Sequence, residues 1–171
     1  MRKGESSNRF GFRILLLALA GLIAGCAGPS AFRGFQSIEQ RRGILRWQQP
    51  NGNGLTAESY FSRGGDGAIS LVIGKEGPTP LLEGILQNGT ASFRGPLLGG
   101  LAWAGPVNAA PKSLAPWAAL LSAYAQGATL ADGSQEVHTG AYRAQFQKSA
   151  GRLTAFYVVC NDTGDSFTVR F

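Results

Sequence analysis

YRAQFQKSAGRLTAFYVVCNDTGDSFTVRF, residues 142–171, is the stretch that decides the fold. Tyr142, Ala144 and Phe146 alternate with polar residues, Lys148 to Arg152 turns, and Leu153 to Cys160 runs back. Asn161-Asp162-Thr163-Gly164-Asp165 turns again, and Phe167, Val169 and Phe171 alternate to the last residue. A period of two puts every second side chain on one face, so this segment reads as a three-stranded antiparallel meander with one apolar face.

Working outward, the same period recurs upstream. Leu81 to Gln87 and Thr90 to Arg94 flank Asn88-Gly89, a pair suited to the positive φ angles of a type I′ hairpin turn. Leu55 to Ser62 leads through Arg63-Gly64-Gly65-Asp66-Gly67 into Ala68 to Ile73, where Ile69, Leu71 and Ile73 share a face. Between the two strand blocks, Ser113 to Gln126 reads as a helix with Ser113 at the N-cap, Pro116 in the first turn and Gly127 as the stop. Leu114, Trp117, Ala118, Leu121 and Tyr124 form its stripe. Phe32, Phe35 and Ile38 recur every three residues before Gly43, which predicts a short amphipathic helix over Ser30 to Arg42. Residues 95–112, rich in Gly and Pro but carrying Leu97, Leu98, Leu101 and Trp103, read as an irregular excursion.

Helix, four strands, helix, three strands is an α+β order: one curved antiparallel sheet of about seven strands, a half-barrel, with helices packed on one face. Leu71, Ile73, Leu82, Phe156 and Val158 then face Trp117, Leu121 and Tyr124, with Trp103 nearby. Such a set makes either an ordinary packed core or an apolar cavity for acyl chains.

Composition narrows the function. Sixteen basic against ten acidic residues give a formal +6, but Arg2, Lys3, Arg9 and Arg13 lie in the first thirteen residues with only Glu5 opposing them. The rest has no run of like charge to track a phosphate backbone, which argues against nucleic acid as a partner. Hydrophobic residues make up 44% and charged ones 15%, a balance that supports a core and opposes disorder. Two cysteines and one histidine exclude a disulfide scaffold and offer no zinc-binding pattern, and no cofactor is expected.

The candidate chemical motifs are weak. Gly52-Asn53-Gly54-Leu55-Thr56-Ala57 has the spacing of a dinucleotide fingerprint, yet a turn precedes it and β-prone residues follow, where the phosphate site needs a strand and then a helix. His138 has Asp132, Ser134 and Glu136 close by on a polar stretch that reads as an exposed loop, without a nucleophile elbow. Glu58, Glu76 and Glu83 are scattered over strands and read as solvent-facing. No catalytic residue is assigned, and the protein is expected not to be an enzyme. Cys160, in an apolar β-like run, reads as a buried thiol.

The N-terminal residues read as an address. A basic stretch, Met1 to Arg13, precedes the apolar run Ile14 to Gly25; as a helix this run rises about 18 Å, short of the ~30 Å hydrocarbon core. It is therefore a signal-peptide core. Its end, Leu22-Ile23-Ala24-Gly25-Cys26, resembles the lipobox of bacterial lipoproteins at every position. The resemblance implies cleavage before Cys26, acylation of its thiol and new amino group, and a tether of residues 26–29. Two or three acyl chains anchor stably where one does not. Ala27, where inner-membrane retention commonly uses Asp, implies the outer membrane.

Across residues 30–171 the order of elements resembles the LolA/LolB class of lipoprotein carriers and receptors, which wrap an incomplete barrel around a helix-lidded cavity. The resemblance is architectural, and this chain is shorter than that class. It implies an acyl-chain cavity lined by Leu71, Ile73, Leu82, Trp103, Trp117, Leu121, Phe156 and Val158, and a membrane-insertion loop at Leu97-Leu98. The expected protein is a lipid-anchored lipoprotein on the periplasmic face of the outer membrane. Its partners are the membrane and lipid or lipoprotein acyl chains, handled without covalent chemistry. The alternative is a structural envelope lipoprotein with a filled core that binds a protein partner. Replacing Cys26 with Ser should abolish metabolic labelling by palmitate and release the protein from the membrane fraction; labelling that persists would refute the lipobox reading.

Overall fold

Alternating side chains build ten strands where seven were expected. The structure is a computed structural model and describes residues 35–74 and 80–171. Cys26, its leader and tether, residues 30–34 of the expected first helix, and Glu76 lie outside the described residues. The strands are β1 (Ser37–Gln48), β2 (Gly54–Gly64), β3 (Ile69–Gly74), β4 (Leu82–Gln87), β5 (Thr90–Arg94), β6 (Ala102–Pro106), β7 (Gly133–His138), β8 (Tyr142–Ser149), β9 (Arg152–Cys160) and β10 (Ser166–Arg170). One α-helix, α1 (Ala115–Gly127), lies between β6 and β7.

All pairings are antiparallel, in the order β6-β5-β4-β3-β2-β1-β10-β9-β8-β7. Two meanders, β1–β6 and β7–β10, are thus joined by the β1–β10 pair at the centre. Among the described residues the fold is an open antiparallel sheet with one α-helix, mostly β. The strands' inner side chains line up in rows: Phe61, Leu71, Gly84, Phe93 and Trp103 across one half, Trp47, Phe167, Val158, Ala144 and Val137 across the other.

The last residue of β6 and the first of β7 are at opposite edges of the sheet, so the connection through α1 has to cross its face. The helix touches β3 and β4 on one side and β8 and β9 on the other. The sheet must therefore curl around it, and α1 is apolar nearly all round: Ala119, Leu120 and Ala123 are buried as well as the expected Trp117, Ala118, Leu121 and Tyr124. Two glycines permit the approach. A Cβ on Gly84 would meet the Phe93 ring at 2.8 Å and Leu121 at 3.2 Å, and one on Gly127 would meet the Phe146 ring at 2.6 Å. Gly127 therefore closes the helix through packing, not through a left-handed cap; the chain stays right-handed through Ala128.

Four sequence expectations change. Residues 37–42 belong to β1 rather than to a helix: they pair with β2, and Ile38 is 72% exposed, so its spacing marks no buried helical face. Two-sided pairing of β1 farther along its length outweighs the local periodicity. β6 runs inside the supposed excursion, and β7 places Ser134, Glu136 and His138 on a strand instead of a loop. Both are edge strands, where Pro106 and polar side chains are tolerated and the apolar signal is thin. Helix α1 starts one residue later than Ser113 would set it, with Leu114 at the N-cap and no side-chain cap bond.

The Asn88-Gly89 turn is as expected, with φ of 50° and 74°. Ala150-Gly151 uses the same turn between β8 and β9, with φ of 50° and 74°. A left-handed alanine costs about 1 to 2 kcal/mol, and asparagine tolerates the conformation better. Ala150→Asn should accordingly raise unfolding stability by about 1 kcal/mol in a urea titration; unchanged or lower stability would contradict this strain.

Burial pushes the Tyr124 hydroxyl up to about 12 and also raises that of Tyr142. Tyr124 stacks on Phe61 with centroids 4.4 Å apart, and the Tyr142 hydroxyl donates to Gln126 Oε1 at 2.7 Å. A tyrosine whose folded pKa exceeds its unfolded value contributes stability that is fully present below about pH 10 and is lost as pH rises toward 12. The loss from Tyr124 is about 2 to 3 kcal/mol. Tyr124→Phe should flatten the fall in melting temperature over that window, followed by circular dichroism.

Candidate functional site

The expected cavity residues divide into two groups. Leu71, Ile73, Leu82, Leu121, Phe156 and Val158 are at most 2% exposed and are packed between sheet and helix as core. Trp103 and Trp117 line an open cavity of about 650 Å³ at one end of the helix, Trp117 while also part of the buried core, and Leu97 and Leu98 line it with them. The volume is ordinary for a small-molecule site.

Its walls come from separate parts of the chain. Trp47 and Gln49 come from the end of β1 and the turn beyond it, and Trp117 from the first turns of α1. Leu97 and Leu98 sit on a 3₁₀ turn, Pro96–Leu98, between β5 and β6. Trp103 is half-buried on edge strand β6, stacked on Phe93 with centroids 6.3 Å apart. All three tryptophans of the chain thus line one cavity. The membrane-insertion reading of Leu97-Leu98 meets a different geometry: both are half-buried against the core, and the leucine that stands out is Leu101, 72% exposed at the cavity's edge.

The floor is aromatic with one acidic group. Trp47 and Trp117 have centroids 5.1 Å apart, and Phe167 lies 5.0 Å from Trp117 and 6.4 Å from Trp47. Register explains the cluster, because Trp47 and Phe167 are directly paired across β1 and β10. Asp165, in the β9–β10 turn and only 5% exposed, accepts a hydrogen bond from Trp47 Nε1 at Oδ1, 2.7 Å away. Lys112 lines the cavity from the exposed segment before α1. From sequence Asp165 reads only as part of a turn; its contact with Trp47 depends on the pairing of β10 with β1, the first strand, where Trp47 lies opposite Phe167.

The remaining polar candidates lie apart. His138 Nε2 is 3.0 Å from Glu136 Oε1 on the exposed edge strand β7. The Asp132 carboxylate accepts from Gly151 N–H at 3.0 and 3.2 Å, fixing the β8–β9 turn. Glu58 is held by Arg42 and by the Tyr60 hydroxyl, which keep its carboxyl below the usual range, and Glu83 by Arg94. Cys160 is a buried free thiol facing inward from β9. The Gly52–Ala57 stretch forms the β1–β2 turn and the start of β2. Among the described residues no group of three or more His, Cys, Asp or Glu could hold a metal ion, and no helix is long and apolar enough to cross a membrane.

The fold and this site together define a class: an open antiparallel sheet curled around a helix, with a ligand-sized, tryptophan-lined cavity at one end. In comparisons with known proteins, the chain matches no family model and no curated protein.

Proposed function

We propose that the protein is a lipid-anchored lipoprotein of the outer membrane's periplasmic face, similar to the LolA/LolB class, that accepts lipid or lipoprotein acyl chains without covalent chemistry. The single observation that carries this reading is the open 650 Å³ cavity walled by Trp47, Trp103, Trp117, Leu97 and Leu98. Each methylene moved from water into such a wall contributes about 0.8 kcal/mol, so chain length sets affinity. The Cys26 anchor would keep the cavity near the bilayer from which chains are drawn.

One observation favours a second reading. The space between sheet and helix is filled by Leu71, Ile73, Leu82, Leu121, Phe156 and Val158, as a structural envelope protein that docks a protein partner would have it. A single experiment separates the two. Because every tryptophan lines the cavity, a fatty alcohol brominated along its chain should quench the protein's fluorescence while the unbrominated alcohol does not. Leu98→Asp should weaken the quenching at least tenfold in concentration. Absence of quenching at any concentration below micelle formation would favour the structural role.

A further inference from the structure

The cavity carries one polar feature that an acyl-chain site alone does not require. Asp165 is 5% exposed, and among the described residues Trp47 Nε1 is the one donor to its carboxylate. Oδ2 receives no hydrogen bond from any described residue. Among the described residues no ion pair joins Lys112 to it. A carboxylate offers about four lone-pair sites, and because no sealed-off side-chain oxygen lacks a partner among the described residues, Oδ2 is open to a donor that enters the cavity. The same cavity is lined by Trp47 and Trp117, whose π clouds attract cations, most strongly once water is excluded.

A carboxylate in a cavity walled by indole rings is the chemistry of an ammonium site. We propose that the cavity selects amphiphiles whose head is a protonated amine, with the ammonium donating to Asp165 Oδ2 and the apolar chain lying along Leu97, Leu98 and Trp103. This rests on the acyl-chain reading and adds the head group to it. An anionic head would meet the buried carboxylate as a like charge, and a neutral head would forgo the ion pair.

The test holds the tail constant and varies the head. The full-length protein, kept soluble in amphipol, is titrated with n-decylammonium, n-decanol and n-decyl sulfate below their micelle concentrations, with tryptophan emission as the readout. The wild type should bind the ammonium about tenfold more tightly than the sulfate. Asp165→Asn, which keeps an acceptor for Trp47 Nε1, should erase that ratio. Equal affinities for the ammonium and the sulfate in the wild type overturn the proposal even if the variant fails to fold, and leave the acyl-chain reading standing. No emission change with any of the three overturns both. Two natural sources share this chemistry: tighter binding of lyso-phosphatidylethanolamine than of an S-palmitoylated cysteinyl peptide with a free amine points to membrane lipid, and the reverse order to an acylated polypeptide.

Discussion

The connection between β6 and β7 is the constraint from which the rest of the molecule follows. Sequential strands pair with their neighbours everywhere except here, where the chain leaves one edge of the sheet and must reappear at the other. A thirteen-residue helix rises about 20 Å, less than the width of ten strands laid flat at about 4.8 Å apart. The edges have to be brought toward each other, and the curl that does so wraps the helix. Burial of α1 on nearly every side, the glycines at 84 and 127, and the phenylalanines that meet them are consequences of that one crossing.

The same crossing produces the cavity. At its start the helix shares the cavity with the 3₁₀ turn after β5, the edge strand β6 and the β9–β10 turn, while farther along Leu121 lies against β4 and Gly127 against Phe146 of β8. Irregular segments cannot fill space as regular side-chain rows do, so the mouth stays open where the body is solid. The tryptophans gather there because Trp47 and Phe167 are register partners at the centre of the sheet, Trp117 arrives on the helix, and Trp103 arrives from the edge. Asp165 is held beneath them by the turn that also reverses the chain into β10.

Legibility in the sequence followed burial. β4 and β5, with Asn88-Gly89 between them, and the meander of Tyr142, Phe156 and Phe167 were readable because one face of each strand is buried and the alternation is strong. β6 and β7 were not, since an edge strand satisfies half of its backbone groups with solvent and needs few apolar side chains. β1 misled in the opposite way: Ile38 is exposed, so the three-residue spacing of which it is part reports no buried face. Of the cavity, Trp103, Trp117 and the leucines at 97 and 98 were named from the sequence, while Trp47 and Asp165 were missed because their relation spans 118 residues.

Local order was therefore written in the chain itself: period-two alternation determined the buried strands, and Asn-Gly, with its tolerance of positive φ, determined the β4–β5 turn. Tertiary structure alone decided which apolar residues became solid core and which became cavity wall. That choice depends on where one helix crosses a curled sheet, a packing outcome set by pairings between residues far apart. The physical reason is that alternation encodes which face a side chain takes, whereas the space left in front of that face depends on every other element that reaches it.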